Sequence, residues 1–141
     1  MEMILTDTCV LIENFRENPE VTKIIKDIGT DNIVLNTIIV MELISGARNK
    51  IELNSIKKRL NKFQIVEINQ SVLDDANSLM EEYHLSHGLK IPDAIIAATA
   101  KFHGIPLYTF NKKDFKFVPD IKFYEYEPIK EPTEDSLMTN D

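Results

Sequence analysis

The sequence predicts an α/β protein, a single three-layer α/β/α domain with a central, mostly parallel sheet. Short apolar segments of strand length alternate with longer segments that have the apolar periodicity of helices. The strand segments are apolar throughout, as in parallel sheets that helices cover on both faces. The length of 141 residues and the hydrophobic fraction of 43% suit one domain with one core.

The predicted elements begin with a strand at residues 3–9, where the chain is mainly apolar. The Asn-Pro-Glu sequence at 18–20 is typical of a helix start, and Gly29 ends that helix. Next come a strand at 33–35, a helix capped by Asn36 or Thr37 that runs toward Gly46, and a helix with the stripe Leu53, Ile56, Leu60 and Phe63. The remaining elements are a strand at 65–68, a helix that begins with a capping box at 71–74, a loop at 84–91, a helix at 93–100, a strand at 107–109 and a last strand near 122–126.

Residues 127–141 form an acidic C-terminal tail, separate from the domain predicted at residues 1–126. The tail holds five acids and one lysine, so it carries −4 of the formal net charge of −7. It has two prolines and no apolar periodicity, and we therefore expect it to be disordered. A solvated end is one interpretation of the tail, and a partner-binding segment is the other.

Composition limits the compartment and the chemistry. No apolar run is long enough to span a membrane and no secretion signal is visible, so we expect a cytoplasmic protein. The single cysteine, Cys9, has no disulfide partner and is interpreted as buried and inert. His84, His87 and His103 are too few and too loosely spaced for a zinc site, and we expect them at the surface.

Four carboxylates stand out because of their positions relative to the predicted strands and helices. Asp7 lies near the end of the first strand, and Glu42 lies within the apolar helix that follows the second. Asp93 begins a helix, and Asp114 comes shortly after a late strand. Right-handed crossovers place the strand-to-helix turns of a parallel sheet at one edge, so all four are expected to face one crevice.

Three of these acids interrupt apolar runs, where an unpaired carboxylate costs several kcal/mol or becomes protonated. A divalent cation would offset that cost, and magnesium prefers hard oxygen ligands. Each acid also has a structural alternative: Asp7 as a helix cap, Asp93 as an ordinary helix start, Asp114 as a solvated turn residue, and Glu42 as a partner of Arg48.

The order of these motifs resembles that of PIN domains, and most closely of the VapC-like toxins of toxin–antitoxin pairs. The resemblance spans residues 3–126. It depends on four segments taken together: residues 5–12 around Asp7, residues 41–46 around Glu42, residues 92–100 around Asp93, and residues 107–115 around Asp114.

The resemblance implies that Asp7, Glu42, Asp93 and Asp114 hold Mg²⁺ or Mn²⁺, and that Thr8, Thr109 and Asn111 support the site. It further implies hydrolysis of RNA phosphodiesters by water that the metal activates. An antitoxin protein partner and a homodimer are expected from the same likeness, with the amphipathic stripes at 20–28 and 53–63 as possible interfaces.

Rival functions remain open at this level. A haloacid-type phosphatase expects a second aspartate two positions after the first, where this chain has Cys9. A phosphoacceptor domain expects an acidic pair before its first strand ends, where residues 4–6 are Ile-Leu-Thr. A housekeeping RNA-processing nuclease of the same family and a non-catalytic PIN-like binding module also fit. The net charge of −7 argues against nucleic acid, and two groups of cations are candidate phosphate contacts or solvated faces. These groups are Lys112, Lys113 and Lys116, and Lys57, Lys58, Arg59 and Lys62.

Overall fold

The fold is taken from a computed structural model that describes residues 2–126. It contains four strands, six α-helices and two short 3₁₀ turns within those residues. The strands are β1 (Ile4–Thr6), β2 (Ile33–Leu35), β3 (Gln64–Ile65) and β4 (Leu107–Tyr108). The helices are α1 (Thr8–Phe15), α2 (Pro19–Ile28), α3 (Thr37–Ser45), α4 (Lys50–Leu60), α5 (Gln70–His87) and α6 (Ile91–His103).

All four strands are parallel and lie in the order β3-β2-β1-β4, which confirms the predicted α/β class. The chain moves outward from β1 to β2 and β3, and then returns to place β4 on the other side of β1. The strand order therefore reverses between β1 and β4. In parallel α/β sheets the crevice beyond the carboxyl ends at this reversal is the usual ligand site.

The strand segments of the sequence are apolar throughout because β1, β2 and β4 lie in the core. Every residue of β1 and β2 is buried, and β4 is buried as well. α6 is buried along most of its length, from Ala94 to Ala100, because small alanines let it pack closely against α5 and α3. Val21, Ile24, Ile25 and Ile28 of α2 are also buried within the chain. The hypothesis that the stripe at 20–28 is an interface is therefore wrong.

Several predicted boundaries are wrong. The first strand stops at Thr6, because Asp7 caps a helix that the prediction for residues 3–9 missed. α5 is capped by Asn69 rather than by the box at 71–74, and it continues to His87 through the segment predicted as a loop. Gly88 ends it in the left-handed conformation, with φ of 70°.

The other boundary corrections concern strands and one helix start. α6 begins at Ile91 rather than at residue 93, with Pro92 in its first turn. The third strand is Gln64–Ile65 rather than 65–68. The last predicted strand, near 122–126, is reduced to a single parallel bridge between Leu107 and Phe123.

The acidic tail at 127–141 lies outside the described residues, so its predicted disorder stays a prediction. Among residues 2–126 no helix is both long enough and apolar enough to cross a bilayer.

Candidate functional site

Asp7 stands at the point where the strand order reverses. It follows β1 directly and is the N-cap of α1, and its backbone N–H donates to the carbonyl of Tyr108 in β4 (2.9 Å). The structural alternative for Asp7, a helix cap, is therefore correct. The cap does not exclude a second role, because a carboxylate has about four lone-pair acceptor sites and the cap uses one of them.

The Asp7 carboxylate is buried and held from two sides. The backbone N–H of Thr8 donates to Oδ1 (2.8 Å), and the hydroxyl of Thr109 donates to Oδ2 (2.8 Å). Only 7% of Asp7 is exposed, and burial raises the pKa of its carboxyl, while these two donors oppose the rise. The side chain is thus fixed in orientation and short of compensating charge.

Thr109 takes part in a relay of hydrogen bonds. Its hydroxyl oxygen accepts the backbone N–H of Asn111 (3.0 Å), which leaves the hydroxyl proton for Asp7. The sequence-based expectation placed both residues in support of the site. The structure shows that Asn111 reaches Thr109 through its backbone.

Glu42 is half-buried on α3, and its Oε1 accepts the hydroxyl of Thr8 (2.6 Å). Thr8 therefore contacts both acids, Asp7 through its backbone and Glu42 through its side chain. The alternative partner, Arg48, forms an ion pair with Glu52 instead (2.7 Å). No cation has been found for Glu42 among residues 2–126.

Asp93 lies in the first turn of α6, close enough to the other three acids to be repelled by their charges. Burial raises the pKa of its carboxyl to about 6, and repulsion from Asp7, Asp114 and Glu42 adds to the rise, in that order. Lys90 opposes it weakly. The four predicted residues therefore form one electrostatic cluster, although they come from four distant parts of the chain.

Asp114 is the exposed member of this cluster. It lies in the 3₁₀ turn Lys112–Asp114 that follows β4, as the solvated-turn alternative expected. Its charge nevertheless contributes to the raised pKa of both Asp7 and Asp93. Asp114 therefore marks the solvent-facing side of the cluster.

The cluster is open rather than closed. Within residues 2–126, no three Asp, Glu, His or Cys side chains already stand close enough to enclose a metal ion. Like charges repel one another in the absence of a cation. Magnesium keeps several of its waters and is commonly bound through one or two carboxylates. The all-oxygen donor set fits such an ion.

Cys9 lies beside Asp7 and is half-buried rather than buried. Its thiol donates to Oδ2 of Asp7 (3.6 Å), and burial raises its pKa to about 11, with repulsion from Asp7 as the second cause. Cys9 is therefore protonated at neutral pH, and a nucleophilic thiolate is disfavoured. A protonated thiol is consistent with the predicted inert role, which stays a prediction.

A link between α3 and α6 was not recognised from the sequence. Asn36 is fully buried, caps α3 through the N–H of Ile39, and donates through Nδ2 to the hydroxyl of Thr99 (2.9 Å). Thr99 in turn donates to the carbonyl of Ile95 (2.7 Å). The signal was a polar residue inside the alanine-rich helix, and its partner is 63 positions away.

Comparison with known proteins finds a matching family and similar solved structures. A family model described as the PIN domain matches residues 4–120. A chain in a toxin–antitoxin complex from Klebsiella pneumoniae is 31% identical, covers 87% of this chain and 99% of its own length, and has a TM-score of 0.70. A chain of FitAcB from Neisseria gonorrhoeae is 27% identical, covers 87% and 97%, and has a TM-score of 0.69.

Solved structures with lower sequence identity show that the fold is shared and no more than that. A chain of DNA-bound VapBC from Salmonella typhimurium is 20% identical, covers 88% of this chain and 98% of its own, and has a TM-score of 0.74. No curated protein matches the chain.

Proposed function

Because this chain belongs to the PIN domain family, we propose that it is a metal-dependent endoribonuclease and the toxin of a toxin–antitoxin pair. The predicted resemblance to VapC-like PIN domains is confirmed. A chain from a toxin–antitoxin complex, which matches this protein over 99% of that chain's own length, supports the toxin assignment. The observation that carries the catalytic part is the cluster of four carboxylates around the buried Asp7.

The residues suit a divalent cation. The groups that would bind the ion are all carboxylates, and carboxylate oxygens are the hard donors that Mg²⁺ and Mn²⁺ prefer. Burial and mutual repulsion raise the pKa of Asp7 and Asp93, and a bound cation would relieve both effects. We assign Asp7, Glu42 and Asp93 as ligands, directly or through water, and Asp114 as the outer member. The ion would supply charge to activate water and to stabilise the attacked phosphate.

The chain's own residues prepare the site. Thr109 and the backbone of Thr8 fix both oxygens of Asp7, and the hydroxyl of Thr8 fixes one oxygen of Glu42. Such outer contacts orient ligands and commonly affect metal affinity tenfold or more. Cys9 is protonated, so it supplies no thiolate nucleophile beside Asp7. Hydrolysis by water fits this arrangement.

A protein partner is part of the proposal. Large apolar side chains remain exposed on the described surface, with Leu85 at 97%, Ile51 at 81% and Ile91 at 64%. Scattered exposed apolar residues are common, but a toxin that must be held inactive needs surface for its antitoxin. We propose a cognate antitoxin, a homodimer and a cytoplasmic location as the setting for the activity.

A nuclease assay on mixed RNAs tests the catalytic proposal. The purified chain is incubated with total RNA in Mg²⁺, in Mn²⁺ and in EDTA. We expect cleavage with either metal, none in EDTA, and none with Asp93→Ala. A phosphatase would release inorganic phosphate from small esters and leave RNA intact. A non-catalytic module would bind metal without either reaction, and both results would contradict the proposal.

Controlled expression separates a toxin from a housekeeping nuclease. Induction of the wild-type chain alone is expected to arrest growth, and co-expression of the protein from the adjacent reading frame is expected to restore it. The Asp93→Ala variant serves as the control and should leave growth unaffected. Growth that continues while the wild-type protein cleaves RNA in vitro would favour housekeeping RNA processing.

A further inference from the structure

Positive charge is concentrated in one part of an otherwise acidic protein. Residues 48–62, which include α4, hold six of the sixteen lysines and arginines and only one acid. Their net charge is therefore +5, whereas the whole chain carries −7. A local positive region attracts a polyanion even when the net charge is negative.

This helix forms a wall of the groove of about 610 Å³ that lies between α1, α3 and α4. The volume lies within the range of clefts that bind ligands. Glu42, a member of the carboxylate cluster, lines the groove, so the groove leads into the candidate metal site. Its apolar lining residues are Ile12, Phe15, Leu43 and Ile56, and its arginines are Arg16, Arg48 and Arg59.

The cations around the groove are not equivalent. Arg16 and Arg48 are exposed and paired with Glu13 and Glu52. Arg59 donates to the carbonyl of Phe15 (2.7 Å), and its guanidinium lies over the Phe15 ring, 5.4 Å from the centroid. Arg59 therefore holds an aromatic ring at the groove wall, and none of the acids in the described part of the chain forms an ion pair with it.

Lys58 and Lys62 extend this charge to the end of the helix and beyond it. Lys58 lies next to Arg59 in the last turn of α4, and Lys62 lies two residues beyond the end of that helix. Both therefore flank the end of the groove that Arg59 lines, and neither is part of the groove lining itself. Both are exposed, and none of the ion pairs within residues 2–126 involves them. The Lys62 ammonium lies over the Phe63 ring, 5.5 Å from the centroid. These lysines are available to a ligand's phosphates.

We propose that the groove between α1, α3 and α4 is the binding track for single-stranded RNA. Lys58, Lys62 and Arg59 contact successive phosphates, and the apolar floor that includes Phe15 receives unpaired bases. The strand then passes Glu42 and delivers a phosphodiester to the carboxylates. This assignment rests on the proposed ribonuclease function and names the surface that serves it.

Base accessibility favours a single strand over a duplex. A duplex keeps its bases stacked inside and presents phosphates and sugars, so an apolar floor gains nothing from it. An unpaired strand exposes the faces of its bases to aromatic and apolar side chains. An acidic peptide would match the charge of Lys58 and Lys62, but a phosphodiester must reach Glu42 if RNA is the substrate.

Binding measured without cleavage tests the track. A labelled, unstructured RNA is titrated in EDTA with the wild-type chain, with K58E/K62E and with K50E/K57E. The last variant has the same total charge change and both of its substitutions lie on α4, but Lys57 is turned about 100° from Lys58 around the helix axis. For K58E/K62E we expect Kd to rise on the order of tenfold at ~0.1 M salt, and the salt slope to fall by about 1.4.

The control variant is expected to bind within about twofold of the wild type, and duplex RNA of the same sequence to compete poorly. In Mg²⁺, K58E/K62E should raise KM and keep kcat, because the carboxylates are unchanged. Equal binding by K58E/K62E and wild type would overturn the track. Equal losses in both variants, or equal binding of duplex, would overturn it as well.

Two further results separate this inference from the proposed function. If the wild type cleaves RNA and K58E/K62E has unchanged KM, the track is wrong and the nuclease stands. If the wild type cleaves no RNA but binds single strands through Lys58 and Lys62, the nuclease is wrong and the track stands. A variant that loses only an antitoxin protein, with RNA binding intact, would assign this surface to the protein partner and overturn the track.

Discussion

The side chain of Asn36 donates a hydrogen bond to the hydroxyl of Thr99 across 2.9 Å of the buried core. Asn36 begins the helix that carries Glu42, and Thr99 lies on the helix that begins beside Asp93. This bond therefore links the two helices that carry Glu42 and Asp93, although neither Asn36 nor Thr99 belongs to the carboxylate cluster.

Replacement of Thr99 by valine removes this bond with little change of shape. The Asn36 amide is then left buried without an acceptor, and we expect a loss of about 1–3 kcal/mol in the free energy of unfolding. Urea denaturation measures it, with Thr99→Ser as the control that keeps the hydroxyl. A Thr99→Val protein as stable as the wild type would show that the link contributes nothing.

Replacement of Thr109 by valine removes the donor to Oδ2 of Asp7. The pKa of Asp7 should rise further, so protons should compete more strongly with the metal. We expect metal affinity at pH 6 to fall on the order of tenfold, with a smaller loss at pH 8. Magnesium titrations of thermal stability at the two pH values measure this change.

Thr109→Ser keeps the hydroxyl and should restore the wild-type affinity at both pH values. A loss that is the same at pH 6 and pH 8 would contradict the assigned role of Thr109, because it would indicate a structural defect rather than a change in the proton affinity of Asp7.

Asp93 should make the metal-free protein sensitive to pH. Its folded pKa is about 6, above the ordinary value of 3.8, so the fold favours the protonated form. The corresponding stability is fully present below about pH 4 and is lost as pH rises through about 6. Asp93→Asn stays neutral and should therefore melt higher than the wild type at pH 7 in EDTA.

The difference in melting temperature between Asp93→Asn and the wild type should shrink toward zero near pH 4. With added Mg²⁺ at pH 7 the wild type should melt higher than Asp93→Asn, because the ion stabilises the wild type by binding and the variant lacks one of the ion's ligands. A difference that is the same at pH 4 and pH 7 would contradict the repulsion inferred at Asp93.

The sequence predicted α2 well because its start and end are both marked. Asn18 and Pro19 begin the helix and Gly29 ends it, and the apolar residues between them have helical spacing. The sequence failed at α1 because Cys9 to Ile12 is apolar on every side, which leaves no periodicity to separate a helix from a strand. The cap formed by Asp7 decides in favour of a helix.

The proximity of the four acids was predictable because a parallel sheet brings the ends of its strands to one edge. Asp7 and Glu42 follow β1 and β2, and the chain order was enough to place them there. The hydrogen bonds that orient these acids could not be predicted from the sequence. Thr109 and Asp7 are 102 positions apart, and nothing local in the sequence indicates which hydroxyl reaches which carboxylate oxygen.

The most direct test of the central claim is RNA cleavage by Asp7→Asn, measured over a range of Mg²⁺ concentrations beside the wild type. The variant keeps the shape of the side chain and removes its charge. We predict that metal-dependent cleavage is lost and that Mg²⁺ no longer raises the melting temperature, while the fold in EDTA is retained. An Asp7→Asn protein with wild-type turnover and wild-type stabilisation by Mg²⁺ would contradict the assignment of this carboxylate cluster as a metal-dependent nuclease site.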